Sequence, residues 1–315
     1  MENSPTIKQL EEEFEAIEKE CDNSELEWQF KQALKEYKGE DQIISFQDWK
    51  KNNKDVNKKG FSSGLVELDD ITNGFHKGDL ITITGETGQG KTSFAQFLTM
   101  GFSESKIKSL WFSYEMPVNN FLMKFDELPD GYLPKVLTER NITWIERKIV
   151  EGIVKFGIEC VFIDHLHYLF DLSSKVNASL VIGDIMRNLK IIANKYNITI
   201  FILAHTGKSR EDGSVGLDNI RDSSFVAQES DYVIAVWRVK TIKSKDLIRA
   251  DGIEYTPFSK IFVAKNRYTG TVASINTRYV KGKYIYERED GKIPTQREQQ
   301  KDMANDEINV NQLFK

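Results

Sequence analysis

Eight consecutive residues, Gly85-Glu86-Thr87-Gly88-Gln89-Gly90-Lys91-Thr92, fit the pattern G-x-x-x-x-G-K-[ST]. Glycines at these positions let backbone N–H groups converge on phosphate oxygens. Lys91 adds a positive charge at the β/γ phosphates, and the Thr92 hydroxyl is a ligand for Mg²⁺. The flanks suit that chemistry. Leu80-Ile81-Thr82-Ile83-Thr84 before the loop is a short β-branched run expected to be a buried strand, and Ser93-Phe94-Ala95-Gln96-Phe97-Leu98 after it is expected to open a helix. Residues 85–93 are therefore the expected binding loop for ATP or another nucleoside triphosphate. Within it Glu86 occupies a variable position and is expected to be exposed.

Phosphoanhydride hydrolysis also needs a metal-supporting carboxylate, a positioned water and charge at the γ-phosphate. Cys160-Val161-Phe162-Ile163-Asp164 is an apolar strand ending in a carboxylate, so Asp164 joins Thr92 as a candidate Mg²⁺ ligand. The residue after Asp164 is His165 rather than Glu, so the base must come from another strand. Ser109–Tyr114 ends in Glu115, and in a parallel sheet its C-terminal end opens on the same edge as Gly85 and Asp164. Glu115 is thus the candidate base. His205 follows the strand Thr199–Ala204 at that edge and could hydrogen-bond the γ-phosphate. His165 and His167 have no further ligand near them in sequence and read as structural. Lys265 and Arg267, after the strand Lys260–Ala264, form a Lys-x-Arg pair able to clamp a phosphate across a subunit interface.

These residues need a scaffold of alternating strands and helices. Further strands are expected at Asp231–Trp237 and Thr271–Thr277, with helices at Ile142–Phe156 and Leu180–Tyr196. A closing hairpin pairs Val272–Ile275 with Tyr284–Tyr286 through Lys281-Gly282-Lys283. Such interleaving predicts an α/β fold with a mainly parallel sheet covered on both faces, over residues 61–288. Residues 1–50 read as a helical extension: Ile7, Leu10, Phe14 and Ile17, then Leu26, Phe30, Leu34 and Tyr37, fall at helical spacing. Helices this short must pack on the main domain or on a neighbouring subunit. Residues 51–60 read as a linker, and 289–315 as a polar, disordered tail.

At 315 residues, 40% hydrophobic and 29% charged, the chain has the composition of a soluble globular protein. Neither a membrane span nor a signal peptide is expected, and two cysteines, Cys21 and Cys160, make no disulfide framework. No Cys/His cluster has zinc spacing. The expected location is cytoplasmic. The net charge of −5 hides an asymmetry, since residues 187–288 hold 18 Lys and Arg against 10 Asp and Glu. A basic C-terminal half permits a nucleic-acid-binding face.

Taken in order, the motifs resemble the RecA-like motor domain of DnaB-type hexameric replicative helicases, including their phage and mitochondrial relatives. Phe61-Ser62-Ser63-Gly64-Leu65-Val66-Glu67-Leu68-Asp69, Asn73-Gly74-Phe75 and Gly78-Asp79-Leu80 look like that family's lead-in to its phosphate loop. Phe112-Ser113-Tyr114-Glu115-Met116 resembles Phe-Ser-Leu-Glu-Met, whose Glu is the catalytic base. Ile163-Asp164-His165-Leu166-His167 parallels Ile-Asp-Tyr-Leu-Gln. Ala204-His205 is similar to the branch with His as γ-phosphate sensor, and Ala264-Lys265-Asn266-Arg267 with Thr269-Gly270-Thr271 to the finger motif that completes the adjacent subunit's site. The resemblance implies a homo-oligomeric ring, a hexamer in the family, that moves on single-stranded DNA, with primase or a single-strand-binding protein as further partners.

Two loops would line the pore, at Asp171–Ser179 and Thr206–Ser224. In the second, Lys208, Ser209, Arg210, Asn219 and Arg221 are the candidate nucleic-acid contacts. The chain is expected to depart from the family in having no primase region and no room for the globular N-terminal domain of bacterial members. Its N-terminal helices would then replace the linker helix that packs on the next subunit. Two other readings stay open: a RecA-fold recombinase, mediator or loader that does not unwind, and a KaiC-like regulatory ATPase.

Overall fold

A computed structural model describes residues 45–52, 60–169, 178–205, 223–242 and 253–286. The chain divides into two units, one ending at Lys58 and the other beginning at Lys59. Of the first, a helix α1 (Phe46–Asn52) is described, with Ser45 Oγ accepting from the Asp48 N–H at 3.1 Å. It carries helix past residue 50, into the stretch read as linker. The expected helices at 7–37 and the tail beyond 288 lie outside the described residues.

The second unit is built on a nine-stranded sheet. In chain order its elements are α2 (Val66–Thr72), β1 (Leu80–Gly85), α3 (Lys91–Glu104), β2 (Ser109–Ser113), α4 (Val118–Leu122), β3 (Gly131–Tyr132), α5 (Ile142–Phe156), β4 (Cys160–Asp164), α6 (Ala178–Tyr196), β5 (Thr199–His205), α7 (Ser223–Glu229), β6 (Tyr232–Ile242), β7 (Ile253–Asn266), β8 (Ala273–Val280) and β9 (Lys283–Tyr286). The strand order is β3-β2-β4-β5-β1-β6-β7-β8-β9. The pairs from β3 to β6 are parallel, and β6-β7-β8-β9 is an antiparallel extension. The sheet is therefore mainly parallel, as expected, and the closing hairpin is β8–β9.

Period-two alternation sends apolar side chains to both faces. Leu80, Val161, Ile163, Ile200 and Ile202 pack on one face with Ile145 and Ile149 of α5 and Ile182, Met186 and Leu189 of α6. Ile81, Ile83, Phe162, Phe201 and Ile234 pack on the other with Phe94, Leu98 and Phe102 of α3. On that second face Trp111 stacks on Phe162 at 4.5 Å, and Phe162 on Phe201 at 4.8 Å. Helix α5 starts where Asn141 accepts from the Trp144 N–H (2.8 Å) and stops at Gly157 in the left-handed conformation. Among the described residues no helix is long and apolar enough to cross a membrane.

Candidate active site

The parallel register puts the chemistry on one rim. Ser113 pairs with Asp164, Asp164 with Leu203, and Gly85 with His205, so β2, β4, β5 and β1 end side by side. The loop Gly85–Thr92 turns from β1 into α3, whose first residue is Lys91. A Cβ on Gly85 would lie 2.4 Å from the Val236 carbonyl oxygen of β6, which only glycine avoids. Gln89 is buried and accepts from the Arg238 N–H (2.8 Å), tying the loop to β6. Glu86 is half-buried rather than exposed, and its carbonyl accepts from Lys91. Thr87 and Gly88 are exposed at the loop's outer turn, while Gly90 and Ser93 are partly covered.

Lys91 is 5% exposed. Its Nζ donates to Gly85 O (2.9 Å) and Glu86 O (3.0 Å) and stands 2.9 Å from His205 Nδ1. Burial pushes its ammonium down to about 8. Burial, with Lys91 next in effect, depresses His205 to about 3, so its imidazole is neutral. His205 Nδ1 also lies 3.4 Å from Thr87 Oγ1. Loop lysine and strand-end histidine thus touch within one chain.

Thr92 Oγ1 donates to Asp164 Oδ2 at 2.9 Å. Asp164 is fully buried, and its Oδ1 has no hydrogen-bond partner among the described residues. Burial raises its carboxyl to about 6, against the Thr92 hydrogen bond. A hydroxyl and a carboxylate with an unsatisfied oxygen make an oxygen donor set suited to a hard cation such as Mg²⁺.

Strand β2 ends at Ser113, one residue sooner than expected, yet Tyr114 N–H still bonds Asp164 O (2.9 Å) and keeps Glu115 at the rim. Glu115 Oε2 lies 3.4 Å from His165 Nδ1. Sequence reasoning treats His165 as structural, but the fold aims it at the candidate base. Its position immediately after Asp164, at a strand end, is the available signal.

Lys265 and Arg267 are not brought to this rim. Strand β7 extends to Asn266, so Lys265 lies inside the strand and Arg267 just past it. Because β7 is antiparallel, Asn266 pairs with Tyr232, which pairs with Ile81. Gly85 therefore stands about 13 Å further along the strands. On this opposite rim Lys265 Nζ donates to Ser230 O (2.7 Å) and Gln228 O (3.1 Å). Arg267 Nη1 pairs with Asp231 Oδ1 (3.0 Å) and Nη2 bonds Gln228 O (2.6 Å). Buried Asp231 also takes Lys190 Nζ (2.5 Å) and the Leu80 N–H (2.8 Å), a network sequence reasoning does not foresee. Asn266 Oδ1 accepts from Tyr268 N (3.1 Å) and Thr269 N (3.2 Å), fixing the turn that presents Arg267. The candidate nucleic-acid residues Lys208, Ser209, Arg210, Asn219 and Arg221 lie outside the described residues.

Comparison with known proteins finds replicative helicases. A probable replicative DNA helicase of Trieres chinensis is 26% identical over 70% of this chain and 55% of its own length. The replicative helicase DnaB of Rickettsia prowazekii is 26% identical over 57% of this chain and 46% of its own, and that of Mycoplasma pneumoniae 27% over 60% and 48%. The chain thus spans about half the length of these curated relatives. Among solved structures, a DnaB-like replicative helicase described with its interactions with primase superposes with a TM-score of 0.61 at 18% identity, covering 78% of this chain and 67% of that one. A second, solved as an ATPase domain alone, gives 0.63 at 18%, covering 77% and 99%. The fold is that of RecA-like helicase ATPase domains. Residues 60–126 and 135–288 match the family described as the DnaB-like helicase C terminal domain, and the chain belongs to that family.

Proposed function

We propose that the chain is an ATP-hydrolysing motor that translocates on single-stranded DNA as a ring, in the manner of a replicative helicase. What supports this reading is the placement of the motif residues on two opposite rims of one sheet. Lys91, Thr92, Asp164, Glu115 and His205 converge on the first, while Lys265 and Arg267 are fixed on the second. A clamp on the far rim serves the site of a neighbouring copy.

In this mechanism the loop amides and Lys91 hold the β/γ phosphates at the N-terminus of α3. Thr92 and Asp164 would hold Mg²⁺, which when bound would supply positive charge to the phosphate oxygens. Glu115 takes a proton from the attacking water, with His165 Nδ1 3.4 Å from its carboxylate. His205 hydrogen-bonds the γ-phosphate and, at the head of the segment 206–222, passes its loss to the proposed DNA-contacting loop. Residues 1–50 are proposed to reach the adjacent subunit, and a primase is the first further partner to test.

Hydrolysis assays with and without single-stranded DNA, paired with strand displacement, test this reading. Glu115→Gln is expected to lower DNA-stimulated turnover by about 10²–10⁴ while nucleotide binding survives. DNA that neither binds nor stimulates at low salt would overturn the motor and favour a regulatory ATPase. Stimulated hydrolysis without displacement would favour a recombinase, mediator or loader.

A further inference from the structure

Of the four histidines in the chain, three meet at the catalytic rim. His165 and His205 stand edge to face with ring centroids 4.3 Å apart, and His167 lies 5.5 Å and 5.9 Å from them. One ligand atom each from Glu115, His165 and His205 falls within 4.8 Å of the others. In a tetrahedral zinc site with bonds of ~2.0–2.1 Å, neighbouring ligand atoms stand about 3.3 Å apart. The 3.4 Å between His165 Nδ1 and Glu115 Oε2 is already such an edge. His205, half-buried at a strand end, closes the triangle with a side-chain adjustment of at most about 1.5 Å to reach that spacing.

We propose that Glu115, His165 and His205 form a binding site for a borderline divalent transition-metal ion of the Zn²⁺ class, adjoining the oxygen donors Thr92 and Asp164, with Asp164 Oδ1 4.0 Å from His165 Nδ1. Two imidazole nitrogens and one carboxylate suit Zn²⁺, Co²⁺ or Ni²⁺ and do not suit Mg²⁺. Three protein ligands leave a fourth position for water. The Glu115 side chain, 37% exposed, gives the ion a way in. Lys91, with its Nζ 2.9 Å from His205 Nδ1, opposes the ion's charge and weakens the site. The functional consequence rests on the roles proposed above: an ion held here takes the base and the sensor together, so occupancy arrests turnover.

The test uses the full chain without nucleotide. Zn²⁺ is titrated by competition with a chromophoric chelator, and Co²⁺ serves as the visible-absorption probe. The expected result is one ion per chain. His165→Asn and His205→Asn, each shown by circular dichroism to be folded, should weaken binding at least about ten-fold and abolish the Co²⁺ bands. Asp164→Asn should keep both. Histidine variants that titrate like the parent, no stoichiometric binding, or loss confined to Asp164→Asn would each overturn the site. In hydrolysis assays with excess Mg²⁺, His165→Asn should need at least about ten-fold more Zn²⁺ for half-inhibition of whatever turnover it retains; an unchanged requirement would overturn the inhibitory role. Metal binding is read without turnover. A chain that binds Zn²⁺ here but never hydrolyses ATP would sink the proposed function and leave the site standing.

Discussion

Lys91 holds its charge in a place that penalises it. Burial lowers its ammonium to about 8 from an ordinary value of 10.5, although Glu115, Asp164 and Glu86 pull the other way. A lysine depressed in the fold contributes stability that is fully present above the unfolded value and lost as pH falls through the folded one. At pH 7 the charged form therefore costs the fold something, which phosphate binding recovers. Lys91→Met is expected to lose nucleotide binding yet unfold at a higher denaturant concentration at pH 7, by about 1–3 kcal/mol. That advantage should shrink as pH rises from 8 toward 10.5. Urea titrations of the nucleotide-free protein across that range check both statements, and a variant less stable at pH 7 would show that the hydrogen bonds to Gly85 and Glu86 dominate.

At the scale of elements, α3 does two jobs, because its N-terminus faces the phosphate loop while its far end supports the lead-in segment. Gly101 is the contact point. A Cβ there would lie 2.4 Å from Ser63 O and 2.7 Å from Ser63 C. Ser63 cannot give way easily, since its N–H donates to Asp69 (2.8 Å) and its Oγ to Leu65 O (3.0 Å). Gly101→Ala is expected to destabilise by about 1–3 kcal/mol, read as a lowered unfolding midpoint with unchanged slope.

The regular elements were the ones legible in the sequence. The run at 80–84, the carboxylate-ended strand 160–164 and the helix 142–156 carry their periodicity and caps within one segment. The two-residue β3 and five-residue α4 are too short to show a period. Strand β7 is 14 residues long where the apolar alternation marked only Lys260–Ala264, because its pairing with β6 runs from Ile253 to Asn266. Glu115, Asp164 and His205 were legible as strand ends on one edge. The contact of His165 with Glu115 was not, because it joins two strand ends about 50 positions apart and depends on where each side chain points.

At the scale of the whole molecule, the proposed division of the site between two rims limits what one subunit can do alone. Arg267→Ala is expected to hydrolyse ATP poorly, and Lys91→Ala not at all, yet a mixture should regain part of the activity. There an intact loop on one copy meets an intact finger on the next. Activity that mixing fails to restore would place Arg267's role in its own chain, through the pairing with Asp231. Binding to single-stranded DNA should weaken steeply with salt, with a slope of roughly −0.7 per phosphate contact, if lysines and arginines carry it.

The placement of Lys265 and Arg267 about 13 Å along the strands from the phosphate loop also has an arithmetic consequence. A two-fold contact that set loop against finger would complete both sites of a closed pair. In the proposed ring the contact is heterologous, front to back, and each copy added leaves a new front and a new back. An open chain of n copies then holds one fewer complete site than it has subunits, whereas closure makes the two numbers equal. Activity per subunit should therefore climb with concentration as open arrays lengthen, and step to its full value where the array closes. A two-fold pair would instead reach its full value at two copies, so the course of activity with concentration tells the two arrangements apart.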